Sequence, residues 1–559
     1  MSARRTNHTD VVVVGGGSAG CALARRITED PAARVVLLEA GRPDHWWDVF
    51  VHMPAALAFP IGSRFYDWRY RSEPEPAMGG RRIHHARGKL LGGSSSINGM
   101  IFQRGNPVDF DRWARQPGME EWSYAHCLPY FKRMESCATG DDAFRGREGP
   151  LVVERGPSKG PLFDAFFEAA QQAGHRLTDD VNGRRQEGFA SFDRNVWGGI
   201  RWSAARAYLH PVRDRPNLEV RCRALATRIL FEGNRAIGVE YAVRGRVERI
   251  FADEVILCGG AINSPQLLQL SGIGPAALLS DLDIDVVADL PGVGENLQDH
   301  LEVYIQHACK KPVSMAPHLL WRRWPWVGLQ WLLGAGPGMT NHFEAGGFVR
   351  SNEDVDYPNL MIHFLPLAIR YDGTRVTRGH GYQLHIGPMN SDVRGRLQIR
   401  STDPTAAPFI RFNYLSTERD RREWLEAIEC ARDILSRPAF QHLDGGELSP
   451  GPKVQTREQI LEWVSRDAET ALHPSCTCRM GTDTLAVVDP RTLRVHGTDG
   501  LRVVDASVMP LITNANIYAP VMMIAEKAAD AIRGRPPLPP DPARPHRHGA
   551  ETVVKASAA

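Results

Sequence analysis

The apolar run Val11–Val14 passes directly into Gly15-Gly16-Gly17-Ser18-Ala19-Gly20, and a second run, Arg34–Leu38, ends at Glu39. This is the layout of a βαβ dinucleotide-binding unit. Gly15 permits the tight turn, Gly17 lets the backbone approach a pyrophosphate, and Gly20 lets the following helix pack closely on the strand. The first N–H groups of that helix lack partners within it and point at the phosphates. Glu39 stands where a carboxylate takes the hydroxyls of a ribose. One glycine turn alone would carry little weight, but strand, turn, helix, strand and acid in register predict a nucleotide site in an α/β fold.

With 559 residues, 43% of them hydrophobic, the chain is long enough for a large core divided between two domains. Its 67 basic and 65 acidic residues leave a formal charge of +2 with no basic block, so nucleic acid is not expected as a partner. Nine scattered cysteines fit a reduced, cytoplasmic compartment. Cys476 and Cys478 lie too close for an ordinary disulfide and lack the paired spacing of a zinc site, so no metal is expected. Met1–Asp10 is polar, without the apolar stretch of a secretory signal, and no apolar run approaches the roughly 20 residues of a membrane span. Residues 538–559, rich in Pro, Arg and His and then poor in anything to bury, are expected to form a loose tail.

Three further segments suit backbone lying against a flat ligand. The first, Gly88–Gly99, is rich in Gly and Ser; Val255–Ala261 followed by Asn263-Ser264-Pro265-Gln266 reads as a buried strand turning into a helix; Leu501–Ser507 is a strand ending in a polar turn. Gly88–Asn98 and Gly260–Gly274 match two signatures of the glucose–methanol–choline (GMC) flavoprotein oxidoreductases. With Pro291–His300 and Asp505-Ala506-Ser507 added, the chain resembles that family from about residue 10 to about 535.

The resemblance implies a Rossmann-like FAD-binding domain of discontinuous segments (8–155, 200–310 and 455–537) and a substrate domain (156–199 and 311–454) whose antiparallel sheet roofs the flavin. It implies that the ADP half of FAD lies on Gly15, Gly17, Ser18, Ala19, Gly20 and Glu39, with a backbone contact from Ala226 to the adenine. The flavin lies against Gly93, Ser94, Asn98, Gly99, Met100, Asp505 and Ala506. Some members attach FAD through a histidine at the position of Ile97, so the cofactor is expected to be non-covalent here.

His473, in Ala471–Gly481, matches the family's catalytic histidine, and Asn516, in Asn514–Pro520, its partner. Alcohol oxidation removes a hydroxyl proton and a hydride from one carbinol; a histidine takes the first while flavin N5 accepts the second. Two residues depart from the pattern: Cys476 replaces a usual glycine, and Tyr518 a usual asparagine. Met53–Pro60, Glu73–Pro76, Asn341–Phe348 and His363–Pro366 are similar to the choline-oxidising members, in which Glu344 would face the trimethylammonium group. Phe343, Tyr66, Trp68 and the tryptophans of 321–331 are candidate aromatic neighbours.

The expected reaction is therefore choline to betaine aldehyde, and onward to glycine betaine through the aldehyde hydrate, with electrons passing to an acceptor such as a quinone or an artificial dye. Two alternatives stand beside it: a dehydrogenase of another, uncharged primary alcohol, aliphatic, aromatic or polyol, and an FAD-binding relative without net redox activity. Leu319–Leu333 places four tryptophans beside two arginines and reads either as a lid over the substrate domain or as a peripheral contact with the inner face of the cell membrane.

Overall fold

The computed structural model describes residues 7–370 and 373–548. The N-terminal apolar runs become the strands His8–Val14 and Val35–Glu39, in a sheet ordered Leu218–Cys222, Val35–Glu39, His8–Val14, Arg246–Leu257, Arg235–Val243, Ala224–Glu232. The first four strands run parallel. Arg246–Leu257 meets Arg235–Val243 as an antiparallel partner through its first half, and Leu501–Val503 lies parallel beside its end. A parallel sheet covered on both faces demands continuous apolar runs, and Val12, Val13, Leu37, Leu38, Val255 and Ile256 are each at most 1% exposed. Each such side chain contributes about 1.5–3 kcal/mol relative to leaving it in water.

The helix Ser18–Ile27 buries Ala22, Leu23 and Ile27 and packs against the last long helix, Tyr518–Ile532. The buried Glu526 carboxylate joins them: it accepts from Arg26 Nε (2.9 Å), Arg133 Nε (2.8 Å) and the Tyr208 hydroxyl (2.8 Å). These elements bring the carboxyl ends of three strands, at Val14, Glu39 and Leu257, to one edge of the sheet, the edge at which open α/β sheets bind ligands.

A second sheet is antiparallel throughout, in the order Asp444–Ser449, Leu301–Cys309, Gly381–Pro388, Leu360–Leu365, Ala345–Val349, Gly188–Ser191. Its strands alternate with period two. Val303, Ile305, Ile362, Phe364, Leu384 and Ile386 enter a core with Trp424 and Ile428 of the helix Glu418–Leu435, while Glu302, Tyr304, His363 and His385 face a cavity between the sheets.

Three boundaries differ from the sequence expectation. Leu301–Cys309, placed with the nucleotide unit by its position before 310, is an internal strand of the second sheet. Trp463 and Val464 of the helix Arg457–Asp467 pack into that sheet's core although 455–537 is expected in the nucleotide unit. Residues 538–548 do not hang free: Leu538 N–H donates to the Tyr130 hydroxyl (2.9 Å), Asp541 pairs with Lys132 (3.1 Å), and Leu538 and Ala543 rest on the first core. The rest of the expected tail, 549–559, lies outside the described residues.

Candidate active site

A cavity of about 860 Å³ runs from Glu39, at the edge of the parallel sheet, to His473 beneath the antiparallel one. Gly15, Gly17, Ser18, Ala19, Glu39 and Ala226 line its first part; Gly93, Ser94, Asn98, Gly99, Met100, Asp505 and Ala506 its middle; His473 and Asn516 its far end. Gly20 stands behind the wall. A Cβ there would lie 1.9 Å from the Gly15 carbonyl oxygen, so its absence is what lets helix and turn meet.

The first part fits a dinucleotide. Gly17 caps the helix Ser18–Ile27 with no side-chain hydrogen bond, leaving that terminus open to an anion. Gly93 packs on Gly17, where an added Cβ would stand 2.7 Å from the Gly17 Cα. Glu39 accepts from Gly16 N–H (2.9 Å) and Gly41 N–H (2.7 Å), and burial pushes its carboxyl up to about 7. Above that pH it is an anion that two ribose hydroxyls can donate to; below it, one acceptor carries a proton. FAD affinity of the apoprotein, followed by fluorescence quenching, should therefore fall as pH drops through 7, by up to tenfold per unit. An affinity flat from pH 8.5 to 5.5 would remove Glu39 from the ribose.

Asp505 ties the middle together. It accepts from Gly260 N–H (2.8 Å), the Ser264 hydroxyl (2.6 Å) and Ser507 N–H (2.8 Å), joining two of the segments that line the cavity.

At the far end, Cys476 N–H donates to the Ala506 carbonyl (3.0 Å) and Ser475 N–H to the Gln298 carbonyl (2.9 Å), so the His473 segment lies between 296–300 and 505–507. Asp299 accepts from His473 N–H (2.7 Å) and from the hydroxyls of Tyr414 and Thr470 (2.6 Å each). The backbone at Cys476 has φ +75°, and only glycine enters that region without cost. A glycine would take that conformation freely; the cysteine bears strain of about 1–2 kcal/mol. Tyr518 opens the last helix and lines the cavity.

A chain of hydrogen bonds fixes the histidine's tautomer. His300 Nε2 lies 3.0 Å from the Met389 carbonyl, which can only accept, so that nitrogen carries the proton. His300 Nδ1 is then a lone pair, and His473 Nδ1, 3.0 Å away, donates to it. His473 Nε2 is left unprotonated, accepting from Asn516 Nδ2 at 3.1 Å. Both rings are neutral: burial pushes His300 down to about 4, and burial, then the nearby His300, Arg87 and His363, hold His473 well below the usual imidazole value. The Asn516 carbonyl oxygen is buried without a hydrogen-bond partner. A lone pair, an amide donor and an open acceptor thus meet where a hydroxyl could sit.

Glu344 does not line this cavity. It is buried, accepts from Ser158 N–H (3.0 Å) and the Thr340 hydroxyl, and lies 3.5 Å from Arg194 Nη1. Phe343 lines the cavity, whereas its neighbour Glu344 is held away from it by Ser158, Thr340 and Arg194. Near His385 the cavity is lined by a carboxylate that the sequence expectation misses, Glu302. It lies 3.3 Å from His385 Nδ1; burial raises its carboxyl, but the charge of His385 and hydrogen bonds from His385 and Tyr304 outweigh this and hold it below the usual value. Tyr304 stacks on His385 at 3.8 Å, and Phe343 meets the same ring edge-on at 5.5 Å. Of the other aromatic candidates, Trp68 and Trp324 line the cavity; Tyr66 instead donates to Asp48 (3.0 Å).

The GMC oxidoreductase family profile matches residues 9–302 and 391–525. The chain is 60% identical to the oxygen-dependent choline dehydrogenase of Staphylococcus saprophyticus over 545 residues, 97% of each protein, and 59% identical to that of Staphylococcus xylosus. Among solved structures it is similar to pyridoxine 4-oxidase from Mesorbium loti (TM-score 0.83, 34% identity, 94% of this chain and 100% of that one). It is also similar to a formate oxidase variant of Aspergillus oryzae (TM-score 0.89, 26% identity, 95% of this chain and 99% of that one). The dinucleotide cradle, the neutral histidine beneath the antiparallel sheet and these likenesses agree: the chain belongs to the GMC oxidoreductase family.

Proposed function

We propose that this protein oxidises choline to betaine aldehyde, and the aldehyde hydrate onward to glycine betaine. The observation that carries the reading is the pairing, at one end of the cavity, of an unprotonated His473 Nε2 with an ionised Glu302 beside Tyr304 and Phe343. A quaternary ammonium offers no N–H, so it is held by a negative charge and aromatic faces, both present here. The curated relatives named above carry choline in their printed names.

GMC oxidoreductases bind FAD, which when bound supplies a hydride acceptor at flavin N5. The chain's own residues do the rest. Asn516 donates to the substrate oxygen as charge builds on it, and its open carbonyl receives the hydroxyl before proton transfer. His473 Nε2 takes the hydroxyl proton, which makes the carbinol carbon a better hydride donor. Gly93–Met100 and Asp505-Ala506 would hold the ring system, and Ile97, 3% exposed, offers no nucleophile for covalent attachment. Mixing the holoenzyme anaerobically with choline and with uncharged primary alcohols tests the reading. Fast flavin bleaching by choline is expected; bleaching only by uncharged alcohols would assign the protein to another alcohol, and bleaching by none would leave FAD a structural role.

Trp324, Val327 and Gly328 bring the 319–333 segment to the mouth of the cavity. Trp321, Trp326, Leu332 and Leu333 are 60–75% exposed, Trp324 meets Phe59 edge-on at 5.1 Å, and Arg322 and Arg323 flank them. Among the described residues no helix is long and apolar enough to cross a membrane. Trp, Leu and Arg on one exposed rim suit the headgroup level of an anionic bilayer, and we propose that this rim docks there on the cytoplasmic side, where a membrane quinone can reach the cavity. The protein should sediment with phosphatidylglycerol vesicles, and a Trp321→Ala, Trp326→Ala double variant should remain in solution. Equal behaviour of the two would assign 319–333 to a lid, with oxygen, the acceptor in the relatives' names, as the reoxidant to measure.

A further inference from the structure

Among the described residues three arginines are almost completely buried, Arg104, Arg145 and Arg201, at 1%, 1% and 0% exposure. Two are neutralised. Arg104 pairs with Glu135 at 2.6 Å, and Arg145 with Glu135, Asp180 and Asp193 at 2.7–2.8 Å. Arg201 has no carboxylate partner among the described residues. Its Nε donates to the Val51 carbonyl (2.8 Å), and its Nη1 to the carbonyls of Ser95 (3.3 Å) and Asn98 (2.6 Å) and to Asn98 Oδ1 (2.8 Å); Nη2 has no acceptor. An unpaired buried charge is costly, by several kcal/mol in ordinary protein interiors, so a fold that keeps one has a use for it.

Its position indicates the use. Ser95 and Asn98 belong to the loop that lines the middle of the cavity, so the guanidinium sits directly behind that wall. The same bonds fix the loop's shape: Asn98 Oδ1, held by Arg201, also accepts from Met100 N–H (3.1 Å), and Met100 is in the left-handed region at φ +59°. With its oxygen engaged, the Asn98 side chain can present only N–H to a ligand.

We propose that Arg201 is the buried countercharge of the flavin, a positioning residue that favours the reduced cofactor. The inference rests on the FAD-dependent alcohol oxidation read above. In that reaction the alcohol carbon loses a hydride, its hydroxyl proton goes to His473, and the hydride brings two electrons and one proton to the cofactor, adding one negative charge to the site. A cation without a partner of its own, fixed behind the wall, is complementary to that added charge and not to the oxidised state. Burial pushes the Arg201 guanidinium down only to about 9, so it remains a cation at neutral pH.

The test is the two-electron midpoint potential of bound FAD, titrated with a chemical reductant so that no substrate is needed. Arg201→Gln keeps hydrogen-bond donors for the Asn98 carbonyl and removes the charge. It should weaken binding of reduced FAD relative to oxidised FAD at least tenfold, read as a fall of about 30 mV or more in the potential. Arg201→Lys keeps the charge and should stay within threefold of the wild type in the same ratio. A holo Arg201→Gln protein with unchanged potential, whatever its melting temperature, would reduce Arg201 to a tether of the loop. If Arg201→Gln does not hold FAD, a tenfold fall in Arg201→Lys would overturn the proposal by itself. Failure of wild-type flavin to bleach with any alcohol would instead strike the reading of the reaction and leave this titration interpretable.

Discussion

Replacing His473 with alanine should slow choline-dependent reduction of the bound flavin about 10³-fold while FAD stays bound. The size follows from what the side chain supplies. A positioned base contributes roughly 10²–10⁴-fold to a proton-transfer step, and the tautomer chain from the Met389 carbonyl through His300 leaves His473 Nε2 as the lone pair beside Asn516. Asn516→Ala should have a smaller effect, because it removes a donor to the developing alkoxide and leaves the base in place. FAD retention is expected because the nucleotide cradle at Gly15–Gly20 and Glu39 lies at the opposite end of the cavity. The pH profile follows from the same burial. His473 is held neutral well below the ordinary imidazole value, so no fraction of the base is lost to protonation near pH 6.5. With FAD saturating, the wild-type rate constant for flavin reduction should stay level from pH 9 through 6.5 and decline only in more acid solution. A variant reduced as fast as the wild type, or a wild-type rate falling through 6.5, would remove His473 from the role of neutral base.

The N-terminal nucleotide unit was legible because its signal is local: glycines at fixed offsets between two apolar runs, where strand ends and helix start are written within thirty residues of each other. The interleaving of the two sheets was not, since pairing of Leu501–Val503 with Val255–Leu257 depends on contacts far apart in sequence, and only the likeness to a family pointed to it. Glu344 shows a different limit. A motif places a residue in a segment, but which side its side chain takes depends on partners far off in sequence, here Ser158 and Arg194. The signal that would have found Glu302 was present in Leu301-Glu302-Val303-Tyr304-Ile305-Gln306, a strict apolar/polar alternation in which Glu302 and Tyr304 share a face. Arg201 could not have been found this way, because nothing in a sequence shows that an arginine is buried without a carboxylate.

Glu302→Gln should raise the KM for choline about 10²-fold and leave that for dimethylbutanol, in which carbon replaces the ammonium nitrogen, within threefold. The two side chains have nearly the same shape, so the difference measures charge. Two unit charges about 5 Å apart at an effective dielectric constant of about 20 attract by roughly 3 kcal/mol, and each 1.4 kcal/mol is a factor of ten in binding. The aromatic faces of Tyr304 and Phe343 remain in the variant, so part of the cation's binding should survive. Because KM equals a dissociation constant only when chemistry is slow, the dissociation constant from anaerobic flavin reduction should move by the same factor. Glu344→Gln supplies the contrast. Its carboxylate answers Arg194, which is 9% exposed at its side chain, and faces away from the cavity. Removing one partner of a buried pair costs about 3–5 kcal/mol of stability, so this variant should melt earlier and bind choline normally. Were choline binding lost in Glu344→Gln and kept in Glu302→Gln, the cation would sit on the Glu344 side of this segment, and the direction assigned to that side chain would be wrong.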